Sequence, residues 1–307
     1  MVKYVNIVDK RPKSKRPTCN SYSTVTNDVK DPLTLAKLQI FVAVAHELKE
    51  FLVIFQGDTS LTPFLYQYVK GMYSKLWEKV VLPKVFFSEN SSLTDMLALD
   101  FKDESFLRSA KSIELNFATK EVLQEAKVNE QAQLQYKTDV KCMYVAILGK
   151  IKERSSLKYA LISNLDCLNP STIDQRSDQS LKQKMEGCLL EFVSKKVMNT
   201  SDADLVEKEY RDFISEAKIE CKEELRKFDV KTDRLDTFYY NICSKIKYPS
   251  LWKALKNVFI LSHGQADVER GFSVNKELLR ENMNEKTIQA HRIVYSGVLV
   301  NFILLNL

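Results

Sequence analysis

Seven glycines and seven prolines are all the turn punctuation that this chain of 307 residues carries, and that scarcity constrains its fold more than any motif does. Sandwiches and barrels need frequent turns, most of them built on glycine, proline or asparagine. Long stretches without breakers read instead as helices joined by short links, and 45% apolar residues are enough to give such helices a core. The expected fold class is all-α, with room for one large domain or two ordinary ones.

Periodicity supplies the helices one by one. Asp31 followed by Pro32 reads as an N-cap with proline at the first helical position, where its missing N–H costs nothing. Leu38, Phe41, Val42, Ala45, Leu48, Leu52 and Phe55 then recur at three and four, predicting a helix to about residue 56 with these side chains on its core face. Gly57 stops it, and Thr62-Pro63 repeats the start signal for a helix over 64–81. Residues 82–112 are mixed, with one short strand expected at Lys84–Ser88. Helices are expected at 114–126 and 129–154, the second turning Leu134, Val140, Ile147, Leu148 and Ile151 inward. Residues 163–172 read as turns around Pro170. Helices at 176–197 and 202–228 follow, the second rich in both charge signs and so in solvated surface. A last section starts near Asp233 and passes through "YPSLWKALKNVF" into Ser262–Asn282. No internal repeat, Gly-rich phosphate loop, heptad array or low-complexity tract is visible.

The net charge of +6 is concentrated at one end. Lys3, Lys10, Arg11, Lys13, Lys15 and Arg16 face a single Asp9, so residues 1–30 read as a basic flexible arm and the rest as nearly neutral. "KRPKSKRP" within the arm is a candidate for nuclear import or phosphate contacts, or else a solvated tail. The six cysteines never form a C-x-x-C pair, which excludes the usual zinc-finger spacing; with Cys142 and Cys188 in apolar helical contexts, buried reduced thiols are expected. His46, His263 and His291 are too scattered for a metal site. Met1-Val2-Lys3-Tyr4 leads into polar residues, so no secretory leader is expected. The apolar run Ile293–Leu307, interrupted by Ser296 and Asn301, falls short of the ~20 residues that cross a bilayer and reads as a buried terminal helix, so no membrane partner is expected.

Ser262–Asn282, "SHGQADVERGFSVNKELLREN", carries the most specific pattern. Ser262 stands three residues before Gln265, the spacing of a capping box, and Val268, Phe272, Leu278 and Leu279 fall near one side of the helix it starts. Glu269 and Arg270 sit at the margin as an ion pair, and Gly271 costs about 1 kcal/mol in a helix interior, which suggests a close backbone neighbour. The stretch resembles the C-terminal dimerisation segment of the hAT transposase superfamily, whose core is E-R-x-F-S; here that core is Glu269-Arg270-Gly271-Phe272-Ser273. "DPLTLAKLQIFVAVAHELKEFLVIFQGDTSLTPFLYQYV" and "KIKERSSLKYALISNLDCLNPSTI" resemble the helical region that precedes it, so the likeness runs from about Asp31 to Val298.

The resemblance implies a helical domain corresponding to the insertion and C-terminal part of a ribonuclease-H-like transposase, with the catalytic sheet largely absent. Active members hold divalent metal ions with two aspartates and a glutamate. Glu269 matches that glutamate, whereas both aspartates belong upstream of the matched region. Two-metal chemistry needs acids converging on ions ~4 Å apart. Asp58 and Asp95 could replace the aspartates on spacing alone, but their turn-like, helix-flanking contexts argue against that role. His263-Gly264 departs from the small-residue pairs of better-known members. The implied organisation is an arm over 1–30, a helical domain over 31–232 and a dimerisation region over 233–307. The implied function is non-enzymatic: a nuclear protein without a cofactor that pairs with itself or a related hAT-type protein through Trp252, Leu255, Val268, Glu269, Arg270, Phe272, Ser273, Ile293 and Val298. Two alternatives stay open. One is a fragment of an active transposase, with Glu269 a ligand to a divalent metal. The other is a non-specific nucleic-acid binder acting through Lys10, Arg11, Lys13, Lys15 and Arg16.

Overall fold

The computed structural model describes residues 8, 10, 12, 17–57, 59–86, 93–243, 247–261 and 286–287, with the backbone alone at 84, 86 and 93–95. They form α1 Asn20–Lys30, α2 Thr34–Phe55, α3 Thr62–Val80, α4 Pro83–Phe86, α5 Leu93–Ala98, α6 Phe117–Glu125, α7 Glu130–Arg154, α8 Ala160–Asn164, α9 Pro170–Gln175, α10 Asp178–Ser194, α11 Thr200–Glu220, α12 Lys222–Lys227, α13 Leu235–Ile242 and α14 Pro249–Phe259. The fold is all-α: among the described residues no strand occurs, and Val81 and Leu107 form an isolated antiparallel bridge. The chain divides into two compact units, residues 1–52 with 64–167 and residues 53–63 with 168–307.

A glycine-poor chain must stop its helices by other means, and two lysines show how. Lys127 and Lys196 adopt left-handed backbone angles, φ 48° and 59°. At the end of α10 the Val197 N–H bonds the Phe192 carbonyl at 2.8 Å and the Lys196 N–H bonds Val193 at 2.9 Å, the paired bonds of a Schellman cap with lysine where glycine is usual. Helix starts are conventional: Asn129, Ser177 and Asn199 each accept a backbone N–H in the first turn of α7, α10 and α11.

In the first unit, rows at i+4 form the core: Ala36, Ile40 and Val44 of α2, Val69, Tyr73 and Trp77 of α3, and Tyr136, Val140, Tyr144 and Leu148 of α7. The buried Tyr136 hydroxyl donates to the Ala36 carbonyl at 2.8 Å, and Lys79 pairs with Glu47 at 3.5 Å, tying α7 and α3 to α2. In the second unit α11 is central, packing against α10, α12 and α14. Its Ala203, Val206, Tyr210, Phe213 and Ala217 meet Leu181, Met185 and Leu189 of α10 and Leu251, Leu255 and Val258 of α14 in one core. The Tyr239 hydroxyl of α13 donates to the Leu168 carbonyl at 2.9 Å.

Several expectations are corrected. Over most of its length helix α2 turns the opposite face inward: Leu38, Phe41, Val42 and Leu52 are 56%, 65%, 47% and 49% exposed, while Phe55 at its end is buried as expected. The helix is apolar on two sides, and the flatter row of Ala36, Ile40 and Val44 is the one that fits against Tyr136. Residues 84–86 continue α4 from Pro83, a proline start, and are not a strand; Phe87 and Ser88 lie outside the described residues. Asn20–Lys30, expected within the arm, is helical. Residues 163–172, expected as turns, form short helical segments whose length hides any period, with Leu165, Asp166, Cys167, Leu168 and Thr172 buried. The 202–228 helix breaks at Cys221, which lets Leu225 enter the core and Arg226 reach Asp174 at 3.1 Å. In α7, Val140 and Leu148 are buried as expected, Leu134 is exposed, and Tyr136 and Tyr144 fill the core. Cys188 is buried but Cys142 is exposed.

Lys196→Gly should stabilise the protein by about 0.5–1 kcal/mol, because it relieves a left-handed side-chain clash worth more than the unfolded-chain entropy it adds. Urea unfolding, with midpoint and slope compared with wild type, measures this.

Candidate interaction surface

Within the 233–307 region the described residues are 233–243, 247–261 and 286–287, which carry α13 and α14. Helix α14 starts without a side-chain cap of its own, with Pro249 at its first position. The missing acceptor comes from the neighbouring helix: Glu209 of α11 accepts the Leu251 N–H at 2.7 Å, placing a negative charge at the positive end of α14. One heptad along α11, Glu216 accepts from both the Lys247 ammonium and the Tyr248 hydroxyl. Phe213 between them meets the Tyr248 ring edge-on at 5.8 Å. Thr62 closes the other end by donating to the Leu261 carbonyl at 2.8 Å. Both ends of α14 are thus fixed before the chain enters the E-R-x-F-S stretch.

The faces of α14 have different uses. Leu251, Ala254, Leu255 and Val258 point into the core, Leu255 being 1% exposed, so its contribution is to packing. Trp252 is half-buried, 6.0 Å from the Tyr240 ring and 6.5 Å from Phe259. Tyr240 is 56% exposed and Ile260 80%. The helix therefore presents a small aromatic surface that ends where the stretch Ser262–Asn282 begins. The sequence reading named Trp252 and Leu255 alike and missed Tyr240, Phe259, Glu209 and Glu216. The seven-residue spacing of the two glutamates, which puts them on one face of α11, is the signal that finds them.

Val268, Glu269, Arg270, Phe272, Ser273, Ile293 and Val298 lie outside the described residues, as do Arg11, Lys13, Lys15 and Arg16 of the arm; Lys10 is exposed. Asp58 also lies outside them, and Asp95 sits on α5. Among the described residues no three His, Cys, Asp or Glu side chains gather closely enough to hold a metal ion. Nor is any described helix long and apolar enough to cross a membrane. Polar groups beside α14 are committed to structure. Burial pushes the Cys243 thiol up to about 12, helped by the charge of Glu209, and so makes it a poor nucleophile. Burial and the Glu216 carboxylate raise the Tyr248 hydroxyl as well. In the first unit a cleft of about 220 Å³ between α2 and α3, with Glu47, Glu50 and Lys75 over Phe51 and Met72, is smaller than typical small-molecule sites. No protein-family model, curated protein or solved structure matches this chain.

The bonds from Lys247 and then Tyr248 hold the Glu216 carboxyl below the ordinary glutamate range. A depressed carboxyl contributes stability that is complete above the unfolded value of about 4.3 and is lost as pH falls through the lower folded value. Glu216→Gln should therefore flatten the loss of thermal stability below about pH 4, while lowering the melting temperature at pH 7. Thermal unfolding of both proteins from pH 7 to pH 3 checks the pair of effects.

Proposed function

We propose that this chain is a non-enzymatic, transposase-derived protein that works by self-association through its 233–307 region. The observation that carries the reading is the way α14 is built. A helix fixed at its start by Glu209 and Glu216 and at its end by Thr62 delivers an exposed aromatic surface to the start of the E-R-x-F-S segment. A second copy, or a related hAT-type protein, would cover Trp252 and Tyr240 together with Phe272 and the apolar run Ile293–Leu307.

Support for a non-enzymatic role comes from the acids. Asp95, one of the two aspartates considered on spacing, lies on a short helix. Strand transfer requires carboxylates on a rigid frame converging on divalent ions, and the resemblance puts both of the family's aspartates outside the region that this chain matches. On this reading Glu269 is a relic of the metal site. The cations Lys10, Arg11, Lys13, Lys15 and Arg16 are close together in sequence, and the same proposal assigns them to nuclear import and weak, salt-sensitive phosphate contacts.

The test is the solution mass of the full chain beside Phe272→Asp, by light scattering. Wild type should exceed one chain in mass at tens of micromolar, and the variant should have about half the wild-type mass with unchanged helicity by circular dichroism. A well-folded Phe272→Asp protein with the wild-type mass contradicts the reading.

A further inference from the structure

The outward face of α2 is a second apolar surface with a register of its own. Leu35, Leu38, Val42, Ala45, Lys49 and Leu52 are spaced three, four, three, four and three, the a and d positions of a heptad stripe, and all six are exposed. Phe41 beside them is 65% exposed, and all of these positions belong to the first unit. A helix packed on one side and apolar on the other has not finished burying its surface. The exposed side chains offer on the order of 600 Å², at the upper end of what a monomer leaves in water. Covering that face with its equal would remove about 1,200 Å² in total, the lower limit for a specific interface.

We propose that this face docks on the same face of a second copy, with the two α2 helices antiparallel. The charge pattern selects both occupant and direction. Parallel in-register pairing would set Lys49 against its own copy in an apolar seam, two ammonium groups with no counter-charge. Antiparallel pairing centred between Ala43 and Val44 sets Leu35 against the second copy's Leu52, Val42 against its Ala45, and Leu38 against the stem of its Lys49. The lysine head then reaches water while its methylenes cover the leucine. A two-fold axis through this centre makes the stripe self-complementary, which an unrelated partner would match only by coincidence. The stripe spans fewer than three heptads, so the contact is a single helix pair that needs a folded unit behind each helix. This surface goes beyond the 233–307 interface, and with both in use the chain assembles past two copies.

Sedimentation velocity of the full chain at tens of micromolar tests it with three variants. Leu38→Glu/Val42→Glu changes exposed positions and should leave the far-UV circular dichroism unchanged while halving the assembly mass. Lys49→Leu removes the charge from the seam and should hold the assembly together at roughly tenfold lower concentration. Phe272→Asp reports the other interface independently. A mass unchanged by Leu38→Glu/Val42→Glu but halved by Phe272→Asp overturns the α2 surface alone. A mass halved by the α2 pair and untouched by Phe272→Asp supports this surface and overturns the 233–307 interface. A monomeric wild type overturns both.

Discussion

The second unit depends on covering one stripe of α11. Ala203, Val206, Tyr210, Phe213 and Ala217 follow a three-four spacing, with Ile214 beside them, on a helix whose other positions are mostly Glu, Asp, Lys and Arg, so one face goes inward. Tyr210 and Phe213 carry most of its bulk, and aromatic burial on that scale requires neighbours on both sides. Helices α10 and α14 provide them. The margins then come into play: Glu209 and Glu216, one heptad apart, stand where the N-terminus of α14 arrives and hold its Leu251 N–H, Tyr248 and Lys247. Hydrophobic burial brings α14 in, and charge-assisted hydrogen bonds fix where it starts.

The sequence showed its long helices clearly because capping and periodicity agree there. Asn129 and Arg154 bound α7 as expected, and Pro249 opens α14 at the first helical position. It did not show which side of α2 packs, since Ala36, Ile40 and Val44 compete with Leu38, Val42 and Leu52 on one helix. Tertiary fit against Tyr136 settles that choice, and no local pattern contains it. Residues 163–172 misled in the other direction. Asparagine and proline there read as turn residues, yet Asn169 caps α9, with Pro170 at its first position, and the surrounding side chains are buried. Helices of five or six residues are too short to carry a period. Lys196 in a left-handed cap was equally invisible, because lysine is not a turn signal.

The candidate surface was half legible. Trp252 and Leu255 are three residues apart on one helix, and resemblance gave them the same role, yet Leu255 belongs to the core and Trp252 to the surface. Burial separates them, and it depends on α11, a helix more than thirty residues upstream. The polar anchors Glu209 and Glu216 were hidden for a related reason: within a charge-rich helix they look like solvated surface, and their meaning appears once Tyr248 and Leu251 are placed beside them. The aromatic face of α14 and the apolar stripe of α2 then share one property, that each lies opposite a well-packed face and carries exposed apolar side chains. That common arrangement is what makes association, rather than catalysis, the central reading.

Hydrogen–deuterium exchange of the full chain at two concentrations tests that reading most directly, because it compares the two surfaces with the core in one experiment. Peptides covering residues 35–52 and 248–282 should gain protection as concentration rises from about one to about fifty micromolar, the range over which modest interfaces form. Peptides from the interior of α10 and α11 should not change. Protection that is independent of concentration throughout the chain would contradict the account.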